Sequence, residues 1–190
     1  MLKELVAKNR SYRRFFEDVT ISSEQIRGWI DLARLGASGR NAQSLKYKVI
    51  LSEEKREKVF ETLAWAGYLK DWSGPVKGER PSAYVIMFND EKIGENFFSD
   101  DGIAAQNLLL GAVEDGFGGC IIRAFKNKEL SSIVSTEEGN KIIQVIALGK
   151  PKEEVVIEEM KDDDIKYWRD EKGVHHVPKR ALDEIILGEL

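Results

Sequence analysis

Asn9-Arg10-Ser11-Tyr12-Arg13-Arg14-Phe15, followed after one helix-like segment by Ser38-Gly39-Arg40-Asn41-Ala42-Gln43, is the part of this chain whose reading decides the fold. The first piece places three arginines and a hydroxyl at the end of a short amphipathic stretch carrying Leu2, Leu5 and Val6. Guanidinium groups converging there suit a phosphate, because their planar N–H forks make charge-assisted bonds to its oxygens. The second piece offers amide and hydroxyl groups in a glycine-containing loop, suited to a polyhydroxylated or heteroaromatic ligand. Taken singly, the arginines read as a solvated face and the Ser-x-x-Asn-x-Gln loop as a helix C-terminal turn. Their meaning depends on the rest of the chain.

Between them, Ser22 and Gln25 have capping-box spacing, and Ile26, Trp29, Ile30 and Ala33 recur at helical spacing, predicting an amphipathic helix that ends before Gly36. Residues 47–51 read as a strand, and Ser52 opens a second helix carrying Val59, Phe60, Leu63 and Ala66. Gly67 to Pro81 reads as irregular, with Tyr68 and Trp72, like Trp65 before it, open to a core, interface or pocket-wall role. Residues 83–88 are apolar on both faces, as a central strand requires. Residues 99–116 are apolar nearly all round, predicting a long buried central helix. Strands follow at 118–122 and 142–148, with a short helix starting near Asn127 between them. From Lys152 to Lys172 the chain is charge-dense and reads as too polar to pack on its own, so it is expected on a surface, such as that of another subunit. The class expected is α+β, helices on both sides of a small mixed sheet, in a single domain over residues 1–190.

Composition narrows the function. A net charge of −4 with 33% charged residues lacks the basic surface that nucleic acid binding requires. No apolar run reaches the ~18 residues that span a bilayer, and charges break the N-terminus before a signal-peptide core could form, so a cytoplasmic protein is expected. One cysteine, Cys120, allows no internal disulfide, and its apolar strand makes it a core residue. His175-His176 side chains point opposite ways on an extended segment, and no other metal-type ligands are spaced around them. Asp162-Asp163-Asp164 lacks the alternating ligands and central glycine of a calcium loop. No metal is expected.

Three further landmarks follow the opening pair in order: Asp101 to Leu110 with the glycine turn Gly116-Phe117-Gly118-Gly119-Cys120, Ala147-Leu148-Gly149-Lys150-Pro151, and Val177-Pro178-Lys179-Arg180-Ala181-Leu182. Together they resemble the FMN-dependent nitroreductase family, whose members carry Arg-Ser-x-Arg-x-Phe followed by Ser-x-x-Asn-x-Gln. The resemblance implies an FMN-dependent oxidoreductase that takes hydride from NADH or NADPH and reduces a nitroaromatic, quinone or similar acceptor by a ping-pong mechanism. It implies a homodimer with FMN at the subunit interface, terminal segments wrapped around the partner, and a small-molecule acceptor.

Carried over position by position, Arg10 would contact the phosphate or ribityl chain and Ser11 would be the motif's hydroxyl. Arg13 would sit near the pyrimidine edge of the flavin, where a cation favours the reduced ring's negative charge. Asn41 and Gln43 would bond the ribityl chain or ring, with Ser38 shaping the loop. Gly118 and Gly119 would bring backbone close to the flavin. Lys179 or Arg180 would complete the phosphate site. The ring carries the chemistry, so no catalytic side chain is expected beyond Arg13 as an electrostatic stabiliser. Two departures stand out: Asn9 where an arginine is common, and Leu45 where an aromatic residue often follows the glutamine. They leave open the alternative of an FMN-binding protein with little turnover, acting as sensor, store or partner-binding module.

Overall fold

The computed structural model describes residues 1–188. Strand β5 (Asn140–Pro151) is the element on which the others assemble. Along one edge it pairs with β3 (Ala83–Asp90), which pairs in turn with β2 (Leu45–Ile50). Along the other edge it pairs first with β4 (Gly118–Ile122) and then, at its very end, with β1 (Phe15–Phe16). All four pairings are antiparallel, so the main sheet is antiparallel rather than the mixed sheet expected. The mixed character belongs to a second, three-stranded sheet made by β6 (Val155–Glu159), β8 (His175–Lys179) and β7 (Trp168–Arg169).

The strand period of two explains why β3 is apolar throughout. Ala83, Val85 and Met87 face one core, with Ile26 and Trp29 of α2 (Ser23–Arg34) and Ala105 and Leu108 of α4 (Asp100–Glu114). Tyr84, Ile86 and Phe88 face the opposite core, with Val59 of α3 (Glu53–Phe60) and Leu130 of α5 (Asn127–Ile133). Each fully buried large apolar side chain contributes about 1.5–3 kcal/mol. A sheet covered on both faces therefore holds the molecule together.

Local chemistry sets the helix limits. Ser22 Oγ accepts from the Gln25 backbone N–H at 3.1 Å, and Gln25 Oε1 accepts from the Ser22 N–H at 3.0 Å, closing the capping box that starts α2. Helix α4 ends at Gly116, whose φ of +77° is the left-handed conformation that glycine adopts freely. Its buried side carries Ala104, Ala105, Leu108, Leu109 and Ala112, while Ile103 remains 38% exposed and Leu110 half-buried.

The charge-dense segment after Pro151, expected to lie on a surface such as another subunit's, also packs on its own chain. It does so because the polar composition conceals a few side chains that pair. Glu153 is buried and takes Arg169 at 2.7 Å, the Arg169 guanidinium lies 4.2 Å from the Trp72 ring centre, and Tyr167 packs 5.0 Å from Tyr68. Cation–π and aromatic pairs of this kind need little apolar sequence to fix a segment. Short helices α1 (Leu2–Lys8) and α6 (Leu182–Ile185) lie towards the two ends of the chain. Among the described residues, no helix is long and apolar enough to cross a membrane.

Candidate active site

After α1 the chain runs extended alongside the glycine end of β4. Ser11 bridges Gly119 in parallel, and the Tyr12 N–H donates to the Gly119 carbonyl at 3.0 Å. Phe15 is wholly buried and anchors the far end. Alternation along this stretch turns Arg13 inward, where it is 9% exposed. Glu153 accepts from the backbone N–H groups of both Arg13 and Arg14, so the tail sheet and the arginine motif are tied at the main chain.

A cavity of about 260 Å³ opens between the motif and the tail, lined by Asn9, Arg10, Ser11, Arg13, Tyr167, His175, Val177 and Lys179. Among the described residues, three cations border it and no carboxylate does. The Arg10 guanidinium donates to the Val6 carbonyl at 2.8 Å and keeps its Nε buried without an acceptor. Arg13 donates to the Ser11 carbonyl at 3.1 Å and lies 4.8 Å from the Tyr167 ring centre. Asn9 is buried and donates to Gln106 of α4 at 3.3 Å, which gives the residue standing in place of a common arginine a structural partner.

A cavity of about 170 Å³ also has Arg13 in its wall, together with Trp65, Cys120, Ile122, Arg123 and Ala124. Its walls are apolar or aromatic apart from the two guanidiniums. Arg123 is oriented from behind: it pairs with the buried Asp101 and donates to Gln144 at 3.2 Å. Cys120 is nearly inaccessible, and burial pushes its thiol pKa up, so it is an inert wall, as expected for a core cysteine.

Ser38 and Gln43 line neither of these cavities but one of about 160 Å³, with Arg34, Leu45, Tyr47 and Asp100. The loop is built around Asp100, whose carboxylate accepts from Ser38 Oγ at 2.7 Å and from the Gly39 N–H at 2.8 Å. Ser38 Oγ accepts in turn from the Gln43 N–H at 2.9 Å. Arg40, Asn41 and Gln43 all have φ of +55°, a conformation non-glycine residues adopt only where surroundings impose it. The loop is therefore a shaped hydrogen-bonding surface, with Asn41 and Gln43 exposed upon it.

The expected site residues thus divide. Arg10, Ser11, Arg13 and Lys179 come together in one cavity; Ser38 and Gln43 border another; Asn41 borders none of these cavities. Arg180 points to solvent and pairs with Asp163 at 2.7 Å, so of the two basic neighbours only Lys179 reaches the arginines. Gly118 and Gly119 have a packing reason of their own, beside the close approach to a ligand expected of them. A Cβ on Gly118 would lie 2.6 Å from the Tyr12 ring, and one on Gly119 would strike the Ala147 carbonyl and the Leu109 side chain. Sequence reading missed Tyr167, Arg123 and Ala124. Nothing local marks them, since each reaches its cavity through a strand exit or a tail whose course depends on tertiary pairing. Among the described residues, no cluster of three or more potential ligands could hold a metal.

The sequence model of the nitroreductase family matches residues 6–150. Solved structures with similar folds include a nitroreductase family protein from Streptococcus pneumoniae TIGR4, with a TM-score of 0.70 at 17% identity, covering 100% of each chain. A nitroreductase from Exiguobacterium sibiricum 255-15, solved in complex with FMN, gives 0.68 at 18% identity over 80% of this chain and 89% of that one. An FMN-dependent nitroreductase from Clostridium difficile R20291 gives 0.64 at 19% identity over 84% and 91%. No curated protein matches the chain. With a family match over residues 6–150 and an α+β architecture shared with these structures, the chain belongs to the nitroreductase family.

Proposed function

We propose that the chain, acting as one domain, is an FMN-dependent oxidoreductase that uses NADH or NADPH to reduce a small organic acceptor such as a nitroaromatic or quinone. The observation that carries this reading is the cavity bordered by Arg10, Arg13 and Lys179 with no carboxylate in its wall among the described residues. Three uncompensated cations and a buried guanidinium N–H without an acceptor suit a phosphate monoester. Arg13 stands between that cavity and the one walled by Trp65 and the end of β4. A ligand with a phosphate at one end and a planar ring at the other matches this sequence of surfaces.

When bound, FMN supplies the redox chemistry, taking hydride from the nicotinamide and passing electrons to the acceptor. The chain's own residues bind and bias. Arg10 and Lys179 hold the phosphate, Arg13 presents positive charge to the ring's electron-rich edge, and the apolar wall near Trp65 and Ile122 keeps water off the ring.

The Ser38 loop borders a separate cavity, so one copy does not bring the two motifs together. A homodimer, with Ser38, Asn41 and Gln43 of one copy completing the site of its partner, accounts for this division. The apolar groove of about 220 Å³ lined by Leu2, Leu5, Leu32 and Leu110 supports a second copy seated on α4. Adding FMN to the purified protein, desalting, and then adding NADH or NADPH without oxygen tests the function. Retained flavin bands that bleach support an oxidoreductase, retained bands that do not bleach support the binding-protein alternative, and absent bands overturn both.

A further inference from the structure

His175, absent from the site residues that the family resemblance implies, sits wholly buried on β8 with its Nε2 3.2 Å from an Nη of Arg13. A guanidinium has donors and no acceptor. A hydrogen bond between them therefore requires a bare Nε2, with the proton on Nδ1 and the imidazole neutral. The opposite tautomer would set two donors against each other, and a protonated ring would set two cations against each other.

The remaining contacts of Arg13 do not neutralise it. Its guanidinium donates to the Ser11 carbonyl and faces the Tyr167 ring, while the nearby Glu153 is taken up by backbone N–H groups and by Arg169. A carboxylate at position 175 would grip Arg13 harder but cancel its charge. A neutral acceptor grips it and leaves the charge for whatever occupies the cavity. The cost of this choice is visible too: His175 Nδ1 is buried with no acceptor, a penalty that an apolar residue of similar size would avoid. Packing alone does not favour histidine here.

We propose that His175 is a positioning residue that holds Arg13, through a neutral Nε2 acceptor, in the orientation that serves FMN. The inference rests on the reading of the Arg10–Arg13–Lys179 cavity as the FMN site. Its surroundings keep the ring neutral: burial first, then Arg13, Arg169 and the adjacent His176, hold the His175 pKa down at about 4. The other groups nearby are Glu153, Tyr167 and Lys179.

Two measurements test it. The first needs no flavin: imidazole nitrogen NMR of the FMN-free protein should show His175 as the neutral Nδ1–H tautomer, with a titration midpoint that moves upward in Arg13→Ala. An Nε2–H tautomer, or a midpoint indifferent to Arg13→Ala, overturns the proposal even if the protein never binds FMN. The second is FMN titration. His175→Gln, whose amide oxygen can accept from Arg13, should bind within about threefold of wild type, and His175→Leu about tenfold more weakly, without loss of apo-protein melting temperature. In an Arg13→Ala background His175→Leu should have no further effect. Equal binding by His175→Leu and wild type, or an undiminished effect in the Arg13→Ala background, contradicts the positioning role. Wild-type protein that binds no FMN contradicts the cofactor reading instead, and the tautomer still decides the His175–Arg13 bond.

Discussion

Arg14 grips Glu79 with two parallel bonds of 2.6 and 2.7 Å, and Lys152 adds a third contact to the same carboxylate at 3.0 Å. One carboxylate from the irregular 67–81 stretch thus joins the arginine motif to the start of the tail. Its side chain is only 14% exposed, and the bonds to Arg14, followed by those to Lys152, hold its pKa down at about 2. Removing it with Glu79→Ala leaves two cations side by side. The expected loss is about 1–3 kcal/mol in urea unfolding, discounted from the cost of fully buried pairs because Arg14 is partly solvated.

The proposed phosphate site separates neighbours that sequence could not. Arg10→Ala and Lys179→Ala should each weaken FMN binding by about ten- to a hundredfold, the equivalent of losing a charge-assisted bond of ~1.5–3 kcal/mol. Arg180→Ala should leave the titration unchanged, since its partners are Asp163 and Glu184. Equal losses at positions 179 and 180 would contradict the placement.

Much of the fold was legible because it rests on local signals. The Ser22 capping box, the two-sided apolar run of β3 and the glycine at the end of α4 each express a short-range constraint, and each element lies within a few residues of its expected span. What escaped depends on distant pairing. Residues 152–172 read as too polar to pack on their own because Glu153, Tyr167 and Arg169 look like ordinary surface residues until Arg13, Tyr68 and Trp72 meet them. The same holds for His175: strand alternation separates it from His176 without saying which of the two turns inward, and its partner lies 162 residues away. The sheet's direction escaped for a related reason: helical connections are compatible with either pairing, and register settles it.

Gly119 distinguishes packing from ligand approach. Gly119→Ala drives a methyl group at the Ala147 carbonyl and at Leu109, so it should destabilise the FMN-free protein by about 1–3 kcal/mol. A variant as stable as wild type without FMN, yet weakened in FMN binding, would return this glycine to the role of a ligand cradle.

The two adjacent histidines should move stability in opposite directions with pH. His175 has its folded-state pKa depressed to about 4 from 6.5, chiefly by burial. Its contribution is complete above pH 6.5 and is lost as pH falls towards 4, by up to ~3 kcal/mol at 1.36 kcal/mol per pH unit. His176 has its pKa raised, first by the Glu158 carboxylate, so its contribution is present below pH 6.5 and lost as pH rises through the raised value. Glu79 acts lower, over pH 4.5 to 2. Unfolding curves across pH 4 to 8 should therefore flatten at the acid end in His175→Gln and lose their low-pH support in His176→Gln. Parallel curves for wild type and both variants would contradict these assignments.

The central claim, that the cavity bordered by Arg10, Arg13 and Lys179 holds FMN for turnover with nicotinamide, is tested most directly by one absorbance experiment. Protein incubated with FMN and desalted should keep flavin bands in proportion to active sites, and those bands should bleach when NADH or NADPH is added without oxygen. A colourless desalted protein would contradict the account.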